Sequence, residues 1–316
     1  MFRHLVESSS GCKTGTHYSV DLKAFAKLAR AYDARGIGNA KALNLTGVVF
    51  HESRCGSTLV ANALTAMNPK ENRVYSESAP PITALKSICG EKYQSCSVHQ
   101  AAQILADTIY LMSRSNDPQE KRVFFKIQSV GALNIEVFQN AFPRTPWIFV
   151  YRDPVQVMMS QLKMGAKYAN CVRGRGRPNQ LVTELAHAKD LRVRELTDEQ
   201  FCAAHLGTIT ESAVDAMQRQ PHLGSPVNYV QLPDILYKDI LPNKFGVKLS
   251  QEEIDNIVQI SGVYSKGTGG RSGEFKSDSE AKEHSATTEV KEAAHLFMDE
   301  SYAILEGGGI KKKAEE

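Results

Sequence analysis

Short apolar runs alternate with amphipathic stretches of helical period along most of this chain, and that alternation restricts the fold more than any other feature. Leu45-Thr46-Gly47-Val48-Val49-Phe50, Arg122–Ile127 and Trp147-Ile148-Phe149-Val150-Tyr151 read as strands buried on both faces. Val227–Leu232 reads as a further strand. Between them, residues 59–67, 98–113, 132–141 and 199–218 carry apolar side chains at helical spacing. Residues 21–34 form an earlier helix with Leu22, Phe25, Leu28 and Ala29 on one face, ended by Gly36 and Gly38. Strand–helix alternation predicts an α/β fold, a single domain with a mainly parallel central sheet flanked by helices. Ligands of such sheets bind at the carboxyl ends of the strands.

Composition removes several other classes. Of 316 residues, 42% are apolar and 23% charged, an ordinary globular balance. The net charge of +3 is too small to argue for nucleic-acid binding. No apolar run approaches the roughly 18 residues of a membrane span, and no partner membrane is expected. Met1–Glu7 lacks the apolar core of a signal peptide. The six cysteines (Cys12, Cys55, Cys89, Cys96, Cys171, Cys202) form no CxxC, so reduced thiols and a cytoplasmic location are expected. No His/Cys cluster has metal-ligand spacing, so no metal is expected. Residues 1–43 read as an N-terminal extension, frayed over its first twenty residues, and a helix. Residues 44–305 read as the main domain and 306–316 as a charged tail.

The polar segment His51-Glu52-Ser53-Arg54-Cys55-Gly56-Ser57-Thr58 lies between a strand and a helix, the layout of a phosphate-binding unit of the P-loop nucleotide-binding type. It lacks the lysine and glycine spacing of the nucleoside-triphosphatase loop. It also lacks the dinucleotide fingerprint, and it does not have the arginine of a Cys-based phosphatase loop. Two readings of Arg54–Leu59 remain: an oxyanion cradle of helix N–H groups, two hydroxyls and an arginine, or an ordinary Ser/Thr-capped helix. Farther on, Tyr151-Arg152-Asp153-Pro154 ends the clearest strand, with Asp153 a good N-cap and Pro154 at the first helical position. Arg152 and Ser160 together can fork a phosphate, or else Arg152 is a surface residue paired with Asp153.

These two segments resemble the signatures of the sulfotransferases that use 3′-phosphoadenosine-5′-phosphosulfate (PAPS). Residues 54–58 are similar to that family's [KR]-S-G-[ST]-T loop, with Cys55 in place of the serine. Tyr151, Arg152, Asp153, Pro154 and Ser160 match its [YF]-R-[DN]-P signature and following serine. Tyr264–Arg271 resembles its glycine-rich closing loop more loosely. The resemblance implies that Cys55, Gly56, Ser57 and Thr58 wrap the 5′-phosphate and sulfonate. It implies that Arg54 meets the oxygen bridging phosphorus and sulfur, where charge builds as the bond breaks. Arg152 and Ser160 would hold the 3′-phosphate, with Lys266 and Gly267 completing that site. PAPS is then the sulfonate donor and 3′-phosphoadenosine-5′-phosphate (PAP) the product.

Many members of this family use a histidine after the strand that here ends at Lys126, but the chain reads Phe125-Lys126-Ile127-Gln128. Other branches use a glutamate soon after the first helix, and Glu77 fits that position. Glu77 is therefore the candidate general base; the plainer alternative makes it a helix-capping residue before Ala79-Pro80-Pro81. His51 and Glu52 are weaker candidates that can face away. Cys55, at a helix N-terminus, is either an acidified thiol or a residue that simply fits the loop. Residues 155–183 hold Lys163, Lys167, Arg173, Arg175 and Arg177 and no acid. They read as a solvated basic loop, or as a cover for the anionic donor. A small-molecule hydroxyl is the expected acceptor, and nothing fixes an oligomeric state. The alternatives are a kinase-like phosphoryl transferase and a non-catalytic nucleotide-binding relative.

Overall fold

The computed structural model describes residues 20–90, 95–163, 165–262 and 279–310. Five strands form the central sheet: β2 (Asn44–His51), β3 (Asn72–Ser76), β5 (Arg122–Lys126), β6 (Trp147–Tyr151) and β7 (Gly224–Asn228). Their order is β3-β5-β2-β6-β7, and every pairing is parallel. A separate ribbon pairs β1 (Lys41–Ala42) antiparallel with β4 (Arg114–Ser115). The α/β architecture therefore stands as the alternation implied.

Parallel strands need long crossovers, and helices supply them on both faces of the sheet. Period-two alternation divides the strands' side chains between two cores. Val48, Phe50, Val123, Phe125, Trp147 and Phe149 point to one. Val49, Phe124, Ile148, Val150 and Val227 point to the other. On the first face Phe50 meets Phe138 and Trp147 edge-on, with ring centroids 5.0 and 5.7 Å apart, the arrangement that aromatic quadrupoles favour. On the second, Phe245 covers Gly47 so closely that a Cβ there would lie 2.6 Å from its ring.

The strand order sets where a ligand can bind. The chain starts at central β2, lays β3 and β5 on one side of it, then β6 and β7 on the other. The connections thus diverge at the carboxyl end of β2, where doubly wound sheets open a crevice. That end carries the 51–58 segment.

Several boundaries and pairings differ from the sequence reading. The helix Leu22–Ala34 buries Ala26 and Ala29 and leaves Phe25 and Leu28 exposed; the small residues permit close approach to the helix Val98–Ser113. The last strand covers Gly224–Asn228, not 227–232. The Asn228 side chain accepts from Val230 N and bends the chain out of the strand into a 3-10 turn, Tyr229–Gln231. The helix Gln180–Ala188 and a π-helix, Leu236–Lys244, were not anticipated.

The expectation of reduced thiols is corrected: Cys89 is bonded to Cys96 and Cys171 to Cys202. The fold sets the turn at Cys171 against the helix that carries Cys202, across 31 positions of sequence, a proximity that local spacing cannot reveal. Disulfides persist in oxidising compartments. Among the described residues no helix is long and apolar enough to cross a membrane. The expected frayed N-terminus falls on residues 1–19, outside the described residues, as does the 264–271 segment with Lys266 and Gly267.

Candidate active site

The carboxyl edge of the sheet gathers the functional side chains in strand order. Glu77 follows β3, Lys126 ends β5, His51 ends β2, Arg152 follows β6 and Tyr229 follows β7. Two half-sites result, one on each side of β2.

The first is built mainly from backbone. Ser53, Arg54 and Gly56 all have positive φ, at 77°, 57° and 88°. The chain thereby curls before entering the helix Ser57–Met67. Gly56 is the N-cap in left-handed conformation, and no side chain caps the helix. Ser57 and Thr58 lie inside its first turn, so the reading of this segment as a Ser/Thr-capped helix does not hold. Leu59 N–H already donates to Gly56 O at 2.8 Å; the N–H groups ahead of it, helped by the helix dipole, are those that an incoming anion would meet. Glycine is needed at position 56 twice over. Its φ disfavours a side chain, and a Cβ would lie 2.5 Å from Tyr229 Cδ2.

Cys55 is fully buried, and its thiol donates to Val150 O at 3.0 Å. Burial pushes its pKa up to about 12, so the acidified-thiol reading is corrected: Cys55 is a loop anchor. The Arg54 side chain is exposed and lines a cleft of about 400 Å3 with Ser160, Gln161, Lys163, Tyr168 and Asn170. The structure thus brings Arg54 and Ser160 to one opening.

Arg152 is 4% exposed, which overturns its reading as a surface partner of Asp153. Its Nε donates to Gln156 Oε1 at 2.8 Å, and its guanidinium stacks over the Tyr229 ring at 4.2 Å. Asp153 instead caps the next helix by accepting from Gln156 N. Buried Glu52 accepts from Arg152 N at 2.6 Å, tying the two signatures together.

The second half-site is built from side chains. Glu77 sits at φ 55°, its N–H donating to Lys126 O at 2.7 Å and its carboxylate accepting from Lys126 Nζ. The Lys126 side chain is almost completely buried, whereas that of Glu77 is half exposed. His51 Nδ1 accepts from Ser53 N at 3.0 Å, which leaves the proton on Nε2. Nε2 approaches Glu77 Oε1 to 3.4 Å, without the alignment of a hydrogen bond.

The long polar contact from His51 Nε2 and the ion pair with Lys126 together hold the Glu77 carboxyl down at about 2. Burial holds the His51 imidazole below its ordinary value, keeping it neutral. Glu77 does not cap the following helix, whose N-cap is Ala79. Nor does His51 face away: it touches both the first loop and Glu77. The missed signal was the pairing order, since β5 places Lys126 between β3 and β2. Gln128, which donates to Glu77 O at 3.3 Å, braces this corner.

The basic segment is held rather than free. Cys171 is stapled to the helix Asp198–Arg219, and Arg175 pairs with Asp198 and Leu196 O. Lys163, Tyr168 and Asn170 bring it to the cleft. Among the described residues no group of His, Cys, Asp and Glu is arranged to hold a metal ion.

No protein-family model matches the sequence, and no curated protein matches it. Among solved structures, the chain is similar to the sulfotransferase domain from the curacin biosynthetic pathway, at 12% identity and a TM-score of 0.44. That match covers 81% of this chain and 98% of the other. It is also similar to the sulfotransferase domain from the Synechococcus PCC 7002 olefin synthase, at 12% identity and a TM-score of 0.41, covering 81% and 95%. Both likenesses are of fold, to chains described as sulfotransferase domains.

Proposed function

We propose that the protein is a sulfotransferase that moves a sulfonate group from PAPS to an acceptor hydroxyl, with a small molecule as the acceptor. The observation that carries this reading is the uncapped, glycine-entered helix at Gly56–Ser57, set beside buried Arg152 at the carboxyl edge of a parallel sheet. Such a pair suits a ligand with anionic groups at two ends. The donor set fits PAPS, as orphan N–H groups and guanidinium groups donate to phosphate and sulfonate oxygens and need no metal to do so.

PAPS supplies the activated sulfonate and departs as PAP, carrying the electron pair of the broken S–O bond. Cys55–Thr58 orient its 5′ end through backbone N–H groups, and Arg54 stabilises negative charge as that bond breaks. Arg152 and Ser160 bind the 3′-phosphate, with Lys266 and Gly267 as further candidates. Glu77 takes the acceptor's proton as the hydroxyl oxygen attacks sulfur. His51 and Lys126 fix the orientation of Glu77, and the same contacts make it a weaker base than a free carboxylate. The two disulfides weigh toward an oxidising compartment rather than the cytoplasm.

The test is thermal melting with PAP. Stabilisation of about 2.7 kcal/mol is expected at a hundredfold excess over Kd, rising with the logarithm of PAP concentration. No shift at millimolar PAP would remove the reading.

A further inference from the structure

Glu52 is a buried carboxyl group that the proposed transfer leaves without a role. It is 1% exposed, and its Oε1 accepts from Arg152 N at 2.6 Å. Its own N–H donates to Val150 O at 3.3 Å, so it bridges the ends of β2 and β6 through both backbone and side chain. The next residues, Ser53 and Arg54, take up the positive φ that forms the anion loop. The charged and titratable groups around it are Arg152 and Asp153 after β6, the buried Cys55 thiol in its own loop, and Tyr302 on the last helix. Asp153 opposes a negative charge on Glu52; Arg152 favours one but directs its Nε to Gln156.

We propose that Glu52 is a positioning residue that makes donor binding proton-coupled. As a neutral acid it joins the loop to Arg152; ionised, it sets a buried negative charge against the incoming phosphates. The physical basis is that desolvation disfavours the charged carboxyl, and a second anion nearby disfavours it further. Burial and the Asp153 charge already raise this group well above the usual carboxylate range. Anion binding and ionisation of Glu52 therefore oppose each other reciprocally, as linkage requires.

This inference rests on the PAPS reading, and one experiment separates the two. PAP binding is measured by titration calorimetry from mildly acidic to alkaline pH, in buffers of different ionisation heat, for wild type and Glu52→Gln. The amide keeps an oxygen for Arg152 N but does not titrate. In wild type, affinity should fall by up to about tenfold per pH unit once free Glu52 ionises, with uptake of one proton on binding. Glu52→Gln should lack both the fall in affinity and the proton uptake that accompany ionisation of Glu52 in wild type. PAP binding with equal proton uptake in both proteins overturns the inference and leaves the PAPS reading intact. Absence of PAP binding at every pH removes both. Should the variant not fold, the wild-type proton count decides: binding with no proton uptake at any pH overturns the inference.

Discussion

The two sides of β2 solve different problems with different materials. Toward β6, the half-site is mostly main chain: a curl of positive-φ residues, an uncapped helix and a buried arginine. Toward β3, it is side chain on side chain, with Glu77 held by Lys126 and facing His51. A main-chain site depends on local conformation, so it is written in consecutive residues such as Arg54-Cys55-Gly56-Ser57-Thr58. A side-chain site depends on which strands are neighbours. Nothing near Lys126 in sequence announces that it meets Glu77, 49 positions away. His51 joins the halves, receiving Ser53 N–H from one while touching Glu77 of the other.

The largest expected effect tests whether the halves are separable. Glu77→Gln should lower kcat by about 10²–10⁴, with little change in PAP affinity, because it removes a proton acceptor and no donor contact. Near-normal turnover in this variant, with activity lost in a His51 variant that still binds PAP, would move the base to the first loop.

The buried staple behind the basic segment sharpens the comparison next. Removing the Cys171–Cys202 bond as Cys202→Ser opens a loop of 31 positions and should cost about 3–4 kcal/mol by loop entropy. The shorter Cys89–Cys96 link, with a separation of 7, should cost less. Thermal melts of each variant check the order, and non-reducing peptide mapping checks the pairings.

Arg152→Ala should weaken PAP by about 1.5–3 kcal/mol. It should weaken adenosine-5′-phosphosulfate much less, since that ligand lacks the 3′-phosphate. Equal losses would show that the backbone half does not distinguish the two ends of the donor.

The smallest effect is in pH dependence. Glu77 has a folded pKa pushed down to about 2, so it is ionised and able to accept a proton at every pH above that value. The kcat profile should then show no acid limb above about pH 4. A limb between that point and the ordinary imidazole value of 6.5 would implicate His51. The sign for stability is the same. A depressed carboxyl stabilises the fold above its ordinary value of 4.5, and that contribution is lost as pH falls toward 2.

Legibility in the sequence divides along the same line. Apolar runs located three strands, β2, β5 and β6, because a strand buried on both faces must be continuously apolar. Asp153 and Pro154 marked a helix start that the structure reproduces. The helix Leu22–Ala34 misled because its large apolar residues face outward while alanines make the contact. The strand before Tyr229 ended early because Asn228 turns the chain through its own side chain. That turn sets Tyr229 under Arg152, a contact invisible without tertiary structure. The Cys171–Cys202 bond escaped notice for the same reason.

The central claim is that the two half-sites act together in sulfonate transfer from PAPS. Incubation of the protein with PAPS labelled in the sulfonate, across a fraction series of metabolite extract, tests it most directly. The expected result is label transferred to an acceptor with stoichiometric release of PAP, slowed in Arg54→Ala and more strongly slowed in Glu77→Gln. Label that stays on PAPS across the whole series, while PAP binds normally, would contradict the claim and leave a nucleotide-binding protein without transferase activity.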